Sequence, residues 1–374
     1  MDTLPITGLD ELNKHLDDLV DDPSIPLNAK LFDDVELQLT GSNIPPLIGR
    51  LLPKLTTILK QYTQDPAILA SLAIKLLGPV SFTQILTLAS EESLVQALDS
   101  PAPAANLLAM TVVHKAAASP ADAAILSVMT SLIAAFLRRW LAAPQVEVGH
   151  KGAKVLGDVL DIDCELPPPP PSPTTTPQTD LVLRKSPGQG KMWRRIFNDK
   201  AMYTLLLDLC AGRHVDTHGD AHQLSLAQAR ILGLLPRLAA LNFPAVSRSD
   251  FTAPTPVHFT NGQGDSAPAF TILRPGEGLL QFAALRMVDK SDVLMHLSLV
   301  DFFEVFVSLM RVTEFSSYKL DTVRAMVRQA TATDPVLKEA LVSLPERTVP
   351  EEADELRRWL QEIMPGETVR VALR

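Results

Sequence analysis

Apolar residues recur along this chain with the period of a helix almost from end to end. In LDELNKHLDDLV (9–20), Leu9, Leu12, Leu16 and Leu19 fall at i, i+3, i+7 and i+10, which puts them on one helical face. The same pattern predicts helices over 44–62, 65–78, 81–89, 91–100, 101–119, 120–144 and 146–160. After an interruption it resumes over 191–213, 224–242, 277–288, 291–312, 318–331, 334–344 and 350–364. SPAPAANLL and SPADAAILS each set a proline just behind a capping residue, where its missing N–H costs nothing. PEEADELRRWLQEIM opens on a proline and early acids, as a helix start should.

Helices of this length joined by short turns, recurring about every 40 residues, predict an all-α, armadillo/HEAT-like α-solenoid whose repeats are degenerate. Two stretches break the pattern. ELPPPPPSPTTTPQTD (165–180) is low complexity, with an extended polyproline II start, and reads as a proline-rich inserted loop; a docking site for a proline-reading domain is the rival reading. Residues 243–270, rich in Pro, Ser, Thr and Gly, read as a long loop that could hold a short strand, and GETVRVALR at the end alternates like a strand or a tail. The domain organisation expected is a first half-solenoid over 1–162, a flexible linker over 163–189 and a second half-solenoid over 190–374.

Composition fits a helical core. Hydrophobic residues are 46% and aromatics only 5%, so Leu and Ala carry the packing. The net charge of −9 is concentrated in residues 1–40, where ten acids face two bases. That end reads as a solvated helical face, with a dock for a basic partner as the alternative. An acidic chain makes a poor general binder of nucleic acid. Cys164 and Cys210 imply no disulfide framework and a reducing compartment. MDTLPITGLDEL lacks the basic and apolar regions of a signal peptide, and AAILSVMTSLIAAF (123–136), closed by Arg138 and Arg139, reads as a buried helix rather than a membrane span.

Candidate chemistry is sparse. Cys210, His214, His218 and His222 recur every fourth residue, a spacing that on a continuous helix would converge on zinc. Gly212, Gly219 and the high polarity favour a solvated loop instead. GQGKM and GHKGAK lack the spacing and the Ser or Thr of a phosphate loop. No nucleophile motif surrounds either cysteine. Trp140 and Trp359, each behind an arginine pair, read as packing anchors. No catalytic residue, cofactor or resident metal is expected.

Residues 181–197 hold Arg184, Lys185, Lys191, Arg194 and Arg195 and no acid, the most basic window of the chain. An exposed helix start, a surface for an acidic partner and a nucleic-acid footprint are the readings open to it. Within it, Trp193, Ile196 and Phe197 should face the core and the two arginines should point outward. Gly152, Ala153 and Gly157 in GHKGAKVLGDVL are small enough to admit a neighbouring helix closely.

VEVGHKGAKVLGDVL, GQGKMWRRIFNDKAMYTLLLDLC and DVLMHLSLVDFFEVFVSLM together resemble the armadillo/HEAT chaperones of proteasome regulatory-particle base assembly. The animal members are called proteasome non-ATPase regulatory subunit five, and fungal members carry a DNA mismatch repair label. The resemblance implies a non-enzymatic chaperone that holds the C-terminal domain of proteasomal ATPase subunits. A generic armadillo adaptor in mismatch repair or transport is the alternative. Expected with it are a protein partner but no small-molecule substrate, direct nucleic acid or membrane contact, a monomeric chain, and a cytoplasmic location with the nucleus kept open. Lys191, Arg194 and Arg195 are the candidate partner contacts.

Overall fold

The computed structural model describes residues 5–165, 187–249, 251 and 273–366. All secondary structure among them is helical, and consecutive helices pack in a repeat-like way compatible with an α-solenoid. The chain divides into two compact units, Met1–Ile162 and Asp163–Arg374. The readings placed on residues 166–180, on 252–270 and on the tail after Gly366 lie outside the described residues, as do Arg184 and Lys185.

Unit 1 contains α1 (Leu9–Asp21), α2 (Ala29–Gln38), α3 (Pro45–Gln61), α4 (Ala67–Leu76), α5 (Phe82–Leu86), α6 (Glu91–Asp99), α7 (Pro103–His114), α8 (Pro120–Leu126), α9 (Thr130–Ala142) and α10 (Val146–Ile162). Leu12, Leu16 and Leu19 of α1 are wholly buried, as their spacing predicts. Each such leucine contributes roughly 1.5–3 kcal/mol of burial. The packing repeats along the chain: α4 lies on α7 and α7 on α10, while α6 lies on α9. Helix α2 escapes the periodicity because only Phe32 and Val35 of its ten residues are buried.

The single helix expected over 120–144 is in fact two, α8 and α9, bent by 92°. Ser127 Oγ donates to the Ala124 carbonyl at 2.7 Å, a local bond that competes with the helical ladder. Glu91 then accepts the Leu132 N–H in the first turn of α9 at 3.1 Å. The capping expectation holds at Ser119, which accepts the Asp122 N–H, but α7 starts on Ala102–Pro103 with no side-chain cap.

Unit 2 contains α11 (Lys191–Phe197), α12 (Lys200–Cys210), α13 (Ala221–Leu241), α14 (Phe243–Ser247), α15 (Leu279–Leu285), α16 (Val293–Val312), α17 (Ser317–Thr331), α18 (Pro335–Ser343) and α19 (Pro350–Ile363). The helix expected over 191–213 breaks at Asn198, because Asp199 caps α12 by accepting the Ala201 and Met202 N–H groups. The start of the expected loop at 243 is the short helix α14, capped by Asn242. Helices α13 and α16 pack on each other, α16 on α18, and α15 and α19 both on α17. By length and apolarity α13 and α16 are each able to cross a membrane, yet 50% and 44% of their most apolar windows are buried inside the unit.

Candidate partner-binding site

The basic window is built around a carboxylate. Gly190 precedes α11 with φ +64°, a left-handed conformation that favours glycine. Asp163, wholly buried, accepts the Met192 N–H at 2.6 Å on one oxygen and the Gln189 N–H at 3.2 Å on the other. Gly188 N–H donates to the Cys164 carbonyl and Gly190 N–H to the Asp163 carbonyl, both at 2.9 Å. A side chain at Gly188 would overlap the Asp163 backbone. The GQGK turn is therefore an anion cradle, and the anion is the chain's own. Burial pushes the Asp163 carboxyl up, against the amide hydrogen bonds that pull it down.

Met192, Trp193, Ile196 and Phe197 are buried, and the Trp193 and Phe197 rings stack at 5.4 Å. Of the three candidate contacts, Lys191 is exposed. Arg194 pairs with Glu165 at 2.7 Å and donates to the Gln189 carbonyl at 2.5 Å. Arg195 is half-buried and pairs with Asp199 at 2.5 Å. The two arginines thus hold the start of α11 and the α11–α12 turn.

The histidine run does not converge. Cys210 is fully buried at the end of α12, and burial pushes its thiol up to about 12. The next residues turn through Gly212 and Gly219, both at positive φ. His214 Nδ1 accepts the Asp216 N–H at 3.2 Å, His218 Nδ1 lies 3.0 Å from the Gly212 carbonyl oxygen, and His222 is exposed in the first turn of α13. Among the described residues no three His, Cys, Asp or Glu side chains form a metal-holding group. Trp140 is wholly buried, and Trp359 donates Nε1–H to the Val307 carbonyl at 3.0 Å.

A surface absent from the sequence reading stands out on α16. Its inner face buries Met295, Leu299, Phe302, Phe303, Phe306 and Val307. Its outer face leaves Leu294 75%, Leu297 51%, Val305 51% and Val312 60% exposed, with Phe315 just beyond at 69%. At 3.6 residues per turn, Leu294, Leu297, Asp301, Val305 and Val312 fall in one row about 27 Å long. Asp301 is its only charged member. The helix is fixed at both ends. Asp292 accepts the Leu294 and Met295 N–H groups, and the buried Lys319 ammonium donates to the Met310, Thr313 and Glu314 carbonyls near the C-terminal end, where a cation complements the helix dipole. Arg347 pairs with Glu304 at 2.6 Å on the flank. A rigid helix that shows an apolar row to solvent is suited to receiving another protein surface. Periodicity alone does not reveal it, because α16 carries apolar residues on more than one face.

These features define an all-helical, repeat-like chain with an exposed apolar row on α16 and, among its described residues, no group of three metal-holding side chains. Residues 7–139 match the family model described as DNA mismatch repair protein HSM3, N terminal domain. No curated protein matches the chain.

Proposed function

We propose that this chain is a non-enzymatic assembly chaperone that holds a folded protein partner, and that the partner is the C-terminal domain of proteasomal ATPase subunits during assembly of the regulatory-particle base. The apolar row of α16 carries the reading: about 27 Å of rigid, solvent-facing apolar helix is the core that a specific interface requires. The resemblance of GQGKMWRRIFNDKAMYTLLLDLC and its companion motifs to the base-assembly chaperones supplies the partner. A stable complex would bury on the order of 1,600 Å² in total, with Lys191 and Arg194 at the rim tuning rate and specificity more than affinity. The cytoplasm, where base assembly would occur, agrees with two free thiols.

The description of the matched family favours a second reading, a scaffold within DNA mismatch repair. Binding of the full chain to each purified ATPase C-terminal domain at moderate salt decides between them. Saturable binding to one or two of these domains supports the chaperone. Binding to none, with mismatch-repair proteins captured instead, transfers the function to the scaffold.

A further inference from the structure

Unit 1 holds a cleft of about 420 Å³ walled by α3 to α7. Its floor is buried core, with Leu52, Leu55, Leu94 and Val112 at 5% exposure or less. Leu59 and Leu108 are half-buried in its wall, and Leu88 is exposed there. Neutral hydrogen-bonding side chains, among them Thr63, Gln64, Ser93, Gln96 and Ser100, also line it. Lys60 is the one charged residue among the lining. It is exposed on the last turn of α3 and makes no ion pair among the described residues. Size, apolar floor and a few polar groups are the marks of a preformed binding site.

We propose that this cleft receives an amphipathic helix of a protein partner, whose apolar residues at i, i+3 and i+4 fill the floor and whose carboxylate pairs with Lys60. This rests on the reading of the chain as a partner-binding protein, and it does not depend on which partner that is. Two observations select the occupant. An unpaired cation with no lining carboxylate beside it selects for negative charge on what binds. Thr63, Gln64 and Gln96 bring hydroxyl and amide groups that can hydrogen-bond the polar flank of a helix, whereas an alkyl chain offers them nothing.

The test pans the full-length protein against a phage-displayed library of short helix-biased peptides. The best peptide is then synthesised and titrated against wild type, Ala105→Trp, which fills the cleft from α7, and Lys60→Glu. The expected peptides carry apolar residues at helical spacing and an acid, and bind both variants at least about tenfold more weakly. Should Ala105→Trp fail to fold, Lys60→Glu decides: a peptide with its acid changed to lysine should regain binding to that variant. No enrichment, or equal binding to all three proteins, overturns the inference. Dodecanoate that binds wild type and not the variants while peptides do not would assign the cleft to an amphipathic small molecule instead. Self-association of wild type abolished by Lys60→Glu would assign it to a second copy. Failure of wild type to bind any ATPase domain sinks the functional reading above and leaves the peptide result standing.

Discussion

The Asp163 carboxylate accepts the Met192 N–H at 2.6 Å across 29 residues of sequence. This bond, with the one from Gln189, supplies the N-terminal cap that α11 lacks locally, since Gly190 has no side chain to offer. Asp163→Ala strands two N–H groups, one of them buried. Leaving a buried donor unsatisfied costs about 1–3 kcal/mol. The variant should lose that much stability in urea unfolding followed at Trp193, and Asp163→Asn, which keeps one acceptor oxygen, should lose less. A loss below about 0.5 kcal/mol for the alanine variant would mean that the cap is dispensable.

The same pair shows where the sequence was readable. Trp193, Ile196 and Phe197 announce themselves by helical spacing, and all three are buried. The phosphate-loop look of GQGK has a physical basis, because the turn does bind an anion. The anion comes from 163, beyond a proline-rich stretch, and no local pattern ties the two together. Short-range side-chain chemistry was similarly hidden at Ser127 and Asp199, where local side-chain bonds mark a break in a helix that periodicity would continue. The exposed row of α16 was invisible for another reason: a helix with apolar residues on more than one face does not say which of its faces lacks a neighbour.

The Gly188 N–H bond to Cys164 and the Gly190 N–H bond to Asp163 join the two chain ends that flank the 166–186 segment. Replacing that segment with a short Gly-Ser turn should therefore keep the fold, since shortening a loop lowers its closure entropy. The melting temperature should stay within about 4 °C of the intact chain, which corresponds to about 1 kcal/mol in a unit of this size. A larger drop would show that the insert packs on the unit.

Gly152 is required by Trp140. A Cβ at 152 would stand 2.5 Å from Trp140 Cδ1, and the wholly buried indole has nowhere to move. Replacing a helical glycine with alanine would otherwise gain about 1 kcal/mol. Here overpacking costs about 1–3 kcal/mol and should prevail, so Gly152→Ala lowers the melting temperature. Gly233, in α13, meets nothing within 4 Å, and its alanine variant should be as stable as wild type or more so. Calorimetry of the two variants side by side tests the contrast.

Asp334 is 3% exposed, caps α18 by accepting the Leu337 N–H at 3.0 Å, and receives Lys290 at 2.8 Å and His296 at 2.9 Å. Burial alone would raise its carboxyl. The hydrogen bonds from Lys290, Leu337 and His296, with the charge of Lys290, outweigh burial and hold it below the ordinary value of 3.8. A depressed carboxyl stabilises the fold above the unfolded-state value, and that stability is lost as pH falls through the folded-state value. Asp334→Ala should cost about 2 kcal/mol at neutral pH from the lost cap and charged hydrogen bonds. The gap to wild type should narrow below about pH 4. Urea unfolding at neutral and acid pH would expose a constant gap, which would place the effect in packing rather than in charge.

Leu297 and Val305 stand about 12 Å apart along the exposed row of α16. Each is 51% exposed, so Leu297→Glu combined with Val305→Glu removes little buried surface and should leave the melting temperature nearly unchanged. If the row is the core of the interface, two carboxylates there should weaken binding of the ATPase C-terminal domain at least about a hundredfold, equivalent to about 2.8 kcal/mol. Charge reversal at Arg194 and Arg195 is a poorer probe, because it also breaks the pairs with Glu165 and Asp199 and loosens the start of α11. It should lower stability measurably while reducing affinity only by a few-fold, as expected of exposed rim charges. Titration of the partner domain into both double variants separates the two surfaces. Undiminished binding by the α16 variant would remove the row from the interface, and a larger loss from the arginine variant than from the α16 variant would move the contact to the turn around Asp163.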